Sequence, residues 1–387
     1  MRKILTFRIF SIFILIALLI CSFCQIIELD YMDLSSSYVL KYYFENIKKY
    51  NEYLMIDLRF DYSLITSRGY IPTKMFVNTT LTIFGEKREG IEFNGTFLFP
   101  SKEFNMTMPV YLIDTEISEG NYLTSFLGLS YKVEKEDYSF IHTLKKQNKI
   151  SKLSFAFDRS SFSSNLKPIY FGGIPSEMIS KYKYQAFFKV NETYNTWGVD
   201  LQKVTFTYKG KNYSEYINTH YTYLNVNTNI IYGPRAFFAF INQTYFNQFY
   251  QNQTCSYRIS SNTIEYITCF LGEIFIFPEI TFIIGGYKFS FHYDSLFTRL
   301  DRGDFASFNI HLNLRDKEEK WMIGFSLFEQ YLVNFDYEEK MITFYDSKPF
   351  ELNNNNKICQ NMYIFLFVLL GASSALLGFH KLKYNVK

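Results

Sequence analysis

Two short polar triplets in this sequence have the residue types and spacing to bear on chemistry, and each sits directly behind an apolar run. Asn225-Val226-Asn227 follows Thr222-Tyr223-Leu224 and leads through Ile230-Ile231-Tyr232 into Gly233-Pro234. Asp61-Tyr62-Ser63 follows the alternating apolar residues Ile56, Leu58 and Phe60. Asp57 is a rival start for this first triplet, because it is better placed relative to Leu64-Ile65. A carboxylate at such a turn can take or give a proton, whereas an amide keeps the shape and can do neither. No other chemistry competes. His142, His220, His292, His311 and His380 are isolated, without the paired spacing that metal ligation needs, so neither a metal nor a cofactor is expected. The pairs Gly172-Gly173 and Gly285-Gly286 read as turns and not as a phosphate cradle.

The elements around the triplets are strands. Residues 53–66, 203–213, 279–291 and 331–345 are alternating or apolar-aromatic runs broken by Gly, Asn-Glu or Glu-Glu turns. Helical pattern is scarce, confined to residues 137–146 and 235–249. Many strands and few short helices predict an all-β, mainly antiparallel fold. The 43 Phe and 33 Tyr of the 387 residues suit strands as well. Because both triplets stand behind a strand, each could open one lobe of a two-lobed protein.

The two ends read as processing and anchoring signals. Arg2, Lys3 and Arg8 precede an apolar run at residues 9–20, and small residues follow, so residues 1–24 are expected to be a signal peptide. Residues 362–379 are uncharged and followed by His380, Lys381, Lys383 and Lys387, which predicts a C-terminal transmembrane helix with a cytosolic tail at 380–387. Residues 351–361 then form a stalk, with lobes at 25–190 and 191–350. The expected product is a single-pass type I membrane protein of the secretory pathway, at the cell surface or an endolysosomal or vacuolar membrane. Sequons at Asn78, Asn94, Asn105, Asn191, Asn212, Asn242 and Asn252 are compatible with a glycosylated lumenal or extracellular domain. Cys255 and Cys269 form a plausible disulfide closing a short loop. With 40 Lys+Arg against 37 Asp+Glu, no concentrated basic charge points to nucleic acid.

Six stretches, in order, resemble the pepsin family of aspartic peptidases over most of the region between these ends. They are Tyr43-Phe44, "FLGLSY" at residues 126–131, "IYFGGIP" at 169–175, Trp197, "FPEITFIIGGYKFSF" at 277–291, and "KWMIGFSLFEQYLVNFDYEEKMITFY" at 320–345. The resemblance implies a bilobal pepsin-like fold and an inter-lobe cleft that accepts an extended peptide or protein. It also implies an Asp-Thr/Ser-Gly triplet in each lobe.

Aligned on Gly233-Pro234, Asn225 takes the place of the second catalytic Asp, and Asn227 that of its glycine. Asp61 is the preferred first-lobe position, with Asp57 as the alternative, and Ser63 then replaces the other glycine. Phe84, followed by Gly85, is the nearest match to the flap. Family catalysis uses two carboxylates that share a proton and hold the attacking water. With an amide at 225, the expectation is a catalytically impaired, peptide-binding homologue. The alternative is an active endopeptidase working at acidic pH.

Overall fold

A computed structural model describes residues 27–34, 37–44, 52–67, 76–83, 86–99, 104–114, 125–158, 166–193, 195–215, 222–226, 228, 230–260, 264–300, 303–313, 320–324 and 331–352. The expected signal peptide, apolar span and tail lie outside these residues, as do Asn227, Phe84, His220 and His380. So does the expected stalk, except for Glu351–Leu352, which form a strand paired to Tyr287 and Lys288. Among the described residues no helix is long and apolar enough to cross a membrane.

The described chain is mostly β. The N-terminal half supplies β1 (Ile27–Leu34), β2 (Ser37–Phe44), β3 (Glu52–Asp57), β4 (Leu64–Ser67), β5 (Phe76–Ile83), β6 (Glu86–Phe99), β7 (Phe104–Asp114), β8 (Phe126–Gly128), β9 (Ser154–Asp158), β10 (Leu166–Phe171) and β11 (Tyr184–Lys189). The C-terminal half supplies β12 (Gly198–Val199), β13 (Leu201–Tyr208), β14 (Lys211–Glu215), β15 (Thr222–Leu224), β16 (Ile231–Tyr232), β17 (Cys255–Ser260), β18 (Ile264–Phe270), β19 (Ile280–Ile284) and β20 (Tyr287–Phe291). It continues with β21 (Phe297–Arg299), β22 (Phe305–Phe308), β23 (Ile310–Asn313), β24 (Trp321–Ile323), β25 (Leu332–Asp336), β26 (Met341–Asp346) and β27 (Glu351–Leu352).

These strands make three sheets. One of 13 strands runs β11-β26-β25-β9-β10-β1-β2-β3-β8-β4-β7-β6-β5 and so draws β25 and β26, from the end of the chain, into the N-terminal half. A second of 9 strands runs β12-β15-β24-β16-β23-β18-β22-β21, with β17 paired to β18. The third, of 5 strands, is β14-β13-β19-β20-β27. The runs at residues 203–213, 279–291 and 331–345 each fold as the hairpin their turn residues predict.

Two expected elements come out differently. The run at 53–66 is not one strand: β3 stops at Asp57, and β4 resumes at Leu64. The helical run at 235–249 is interrupted by a π-turn over Asn242–Phe246, between the helices Arg235–Ile241 and Asn247–Gln251. Cys255 and Cys269 are direct partners across β17 and β18 and are disulfide-bonded, as expected of the two cysteines between the terminal segments.

The abundant rings fill the junction between the halves. Trp197 is fully buried among Tyr131, Phe155, Phe335 and Tyr337, with centroids 4.8 to 5.7 Å away. Its indole N–H donates to the Leu129 carbonyl at 2.7 Å, and the Tyr337 hydroxyl donates to the Ser130 carbonyl at 3.0 Å. A buried Trp needs such a partner for its one polar atom. These two bonds hold the segment after β8 against β25 and the residues leading into β12, which fixes the floor from which both triplets rise.

Candidate functional site

The two halves repeat one arrangement of strands. In the first, β3 lies parallel to β8 and β4 antiparallel to it, with Asp57 opposite Gly128. In the second, β15 lies parallel to β24 and β16 antiparallel to it, with Leu224 opposite Ile323, one step before Asn225 and Gly324. The glycines prove the correspondence. A Cβ on Gly128 would fall 2.2 Å from the Tyr62 carbonyl oxygen and 2.5 Å from that of Phe60. One on Gly324 would fall 2.2 Å from the Ile230 oxygen and 2.5 Å from that of Thr228. Only glycine admits such an approach of two backbones. The interval from Phe60 to Thr228 equals that from Tyr62 to Ile230, and it is also the interval from Asp57 to Asn225.

The residue matched to Asn225 is therefore Asp57, not Asp61. Alternation of Ile56, Leu58 and Phe60 suggested a strand running on to Asp61. The strand ends at Asp57, the last residue paired with β8, and the chain then turns so that the Phe60 carbonyl accepts the Ser130 N–H at 2.9 Å. Phe60 stacks on Phe126 with centroids 4.5 Å apart, and Tyr62 meets Tyr111 edge-on at 5.1 Å. These rings set the turn, and the apolar alternation belongs to it. Asp61 sits on the far side of the turn, where its carboxylate accepts the Glu134 N–H at 2.8 Å. Ser63 is fully buried; its carbonyl takes the Tyr111 N–H at 3.2 Å, and its hydroxyl has no hydrogen-bond partner. It corresponds to Ile231, at the start of the returning strand, and not to a triplet glycine.

The first triplet is consequently Asp57-Leu58-Arg59, and the sequence reading missed Arg59. Its signal was present in the interval from Asp57 to Leu64-Ile65. Asp57 is fully buried, and Arg59 surrounds its carboxylate: the backbone N–H reaches Oδ1 at 2.8 Å, Nε reaches Oδ1 at 2.9 Å, and Nη2 reaches Oδ2 at 2.6 Å. Both oxygens thus accept from one guanidinium fork, the strongest geometry available to a carboxylate. The Arg59 side chain keeps 30% of its exposure while that of Asp57 has none. Burial opposes the charge on Arg59, but the neighbouring carboxylate outweighs it and holds the guanidinium above its ordinary value.

The second half comes near this pair through Tyr223 and Tyr232, which flank the second triplet. Asn225 is buried, its N–H donates to the Ile323 carbonyl at 2.9 Å, and its side-chain amide lies 3.2 Å from the Met322 sulfur. Met322 is the register partner of Tyr232. Tyr223 and Tyr232 both lie within electrostatic reach of Arg59. Burial raises the Tyr232 hydroxyl above its usual value, with Arg59 pulling the other way. One carboxylate, one guanidinium and one amide thus stand where the pattern of two matched turns would place two acids. An amide neither takes nor gives a proton, and a guanidinium does not release one. Among the described residues no group of three His, Cys, Asp or Glu side chains could hold a metal ion.

Set beside known proteins, the chain matches one family, described as eukaryotic aspartyl protease, over residues 115–346. The match takes in Asn225, Trp197 and Gly324 and begins after the Asp57 triplet. No curated protein matches the chain.

Proposed function

Because the chain belongs to the eukaryotic aspartyl protease family, whose members bind peptide substrates in a cleft between two lobes, we propose that it is a peptide-binding homologue with impaired catalysis. The observation that carries this reading is the Asp57–Arg59 ion pair in the turn of the first half, together with an amide, Asn225, at the matching position of the second. Family hydrolysis needs one carboxylate to accept the proton of water while a second, protonated, polarises the peptide carbonyl. Here both oxygens of the one carboxylate are occupied by a guanidinium, and its counterpart is an amide. Loss of one positioned acid-base group costs about 10²–10⁴ in rate, or roughly 3–5 kcal/mol of barrier.

An extended peptide can still be held by backbone pairing, the usual route onto an open strand. The hairpin of β5 and β6 supplies such a strand: β5 is the last strand of its sheet, and its side chains are mostly exposed. In this reading the protein is a type I membrane glycoprotein of the secretory pathway, anchored by residues 362–379. Sequons whose asparagines stand exposed support that placement, at Asn78, Asn94, Asn105, Asn212 and Asn252. Asn191 and Asn242 are half-buried and take part in side-chain hydrogen bonds, so they are poorer acceptors.

Calorimetric titration of the full-length chain with a statine-type peptide at pH 3–6 tests the proposal. The expected result is saturable binding, strongest at the upper end of that pH range. No binding would replace this reading with that of a surface glycoprotein whose cleft is closed.

A further inference from the structure

His311 lies on β23, next to β16 and β18, and is 7% exposed. Neither ring nitrogen has a hydrogen bond of ordinary geometry, which is a costly state for a polar group in the interior. The imidazole packs edge-on to Tyr232, its partner across the parallel pair of β16 and β23, with centroids 6.2 Å apart. From β18, Tyr266 covers its other side at 5.4 Å. The charged groups on neighbouring elements are turned elsewhere. Glu265, next to Tyr266 on β18, bonds to Tyr257 of β17, and Arg235, on the helix Arg235–Ile241, acts on that same tyrosine. Among the described residues no carboxylate acts on the ring.

We propose that His311 makes the C-terminal wall of the cleft acid-sensitive: a proton on its buried imidazole loosens β23 from β16 and β18 and withdraws Tyr232 from Arg59. Tyr232 connects the two events, since it is the strand partner of His311 and also lies within electrostatic reach of Arg59. Burial lowers the imidazole to about 4, against a smaller opposing pull from the Phe308 backbone. The folded chain then binds this proton less readily than the unfolded chain, whose His titrates near 6.5. Stability from this site is therefore whole above about pH 6.5 and declines as the pH falls toward 4. The folded-to-unfolded ratio of the region drops by about 10²-fold over that window. Only the consequence for a bound peptide rests on the proposed cleft function; the opening itself does not.

Hydrogen exchange of the full-length chain, corrected for intrinsic rates, reads this opening without any ligand. Between pH 7 and pH 4 the amides of β16, β18 and β23 should lose protection, and His311→Phe should remove most of that loss. Equal pH dependence in the wild type and His311→Phe would overturn the proposal. Direct titration of the wild-type imidazole by NMR keeps the test decisive if the variant does not fold. A midpoint near or below 5 supports the proposal, and one near 6.5 refutes it.

Discussion

Arg59→Ala lowers the stability of the full-length chain by about 3–5 kcal/mol, the range found when one partner of a buried ion pair is removed. The carboxylate of Asp57 has no exposed side-chain surface, and Arg59 supplies three of the hydrogen bonds it accepts. Of these, the alanine variant retains only the backbone N–H. Removing the guanidinium takes the counter-charge from a carboxylate that has no exposed surface of its own. Arg59→Lys retains the charge but loses the planar fork, so its loss falls between those of the wild type and alanine. Urea unfolding at pH 7 measures all three. An alanine variant as stable as the wild type would mean that the pair is not what holds the turn. The effect is local in origin but reaches further, since the same turn carries Phe60 and Tyr62 into the aromatic cluster with Phe126 and Tyr111.

The second large effect is a gain. Asn225→Asp alone leaves peptide cleavage at background, because Arg59 still occupies Asp57. Asn225→Asp combined with Arg59→Gly and Asn227→Gly restores two opposed acids in matched turns. Cleavage of a quenched fluorescent peptide should then rise by at least about 10²-fold, the lower bound for a positioned acid-base group. The rise should be confined to acidic pH, where one of two facing carboxylates holds a proton while the other is ionised. Activity in the single variant equal to that of the triple would remove Arg59 from the account.

Much of this was legible in the sequence, and what was not has a definite cause. The hairpins followed from turn residues, as at Gly285-Gly286 between β19 and β20. The Cys255–Cys269 pair followed from being the two cysteines left between the terminal segments. Trp197, Gly128 and Gly324 could be placed because their neighbours have distinctive order and spacing. Asn225 could be singled out because Gly233-Pro234 pins its register.

Asp57 was legible only as the alternative to Asp61, because alternation of apolar residues reports only which side chains are buried. Leu58 is buried, as a strand reading requires, yet the backbone there has left the strand. The turn is set by contacts from distant segments: Leu129 captures the Asp57 carbonyl, Ser130 captures that of Phe60, and Phe126 stacks on Phe60. None of these has a local signature. Arg59 was missed for the same reason, since an arginine two residues after an aspartate usually marks a solvated surface.

The central claim is that this chain lacks the paired acids of its family, and a cleavage assay tests it most directly. Full-length wild-type protein is incubated with denatured protein at pH 3–6, with and without a statine-type inhibitor, beside Asp57→Asn. The account predicts no cleavage above background in any arm. Inhibitor-sensitive cleavage by the wild type that disappears in Asp57→Asn would contradict it.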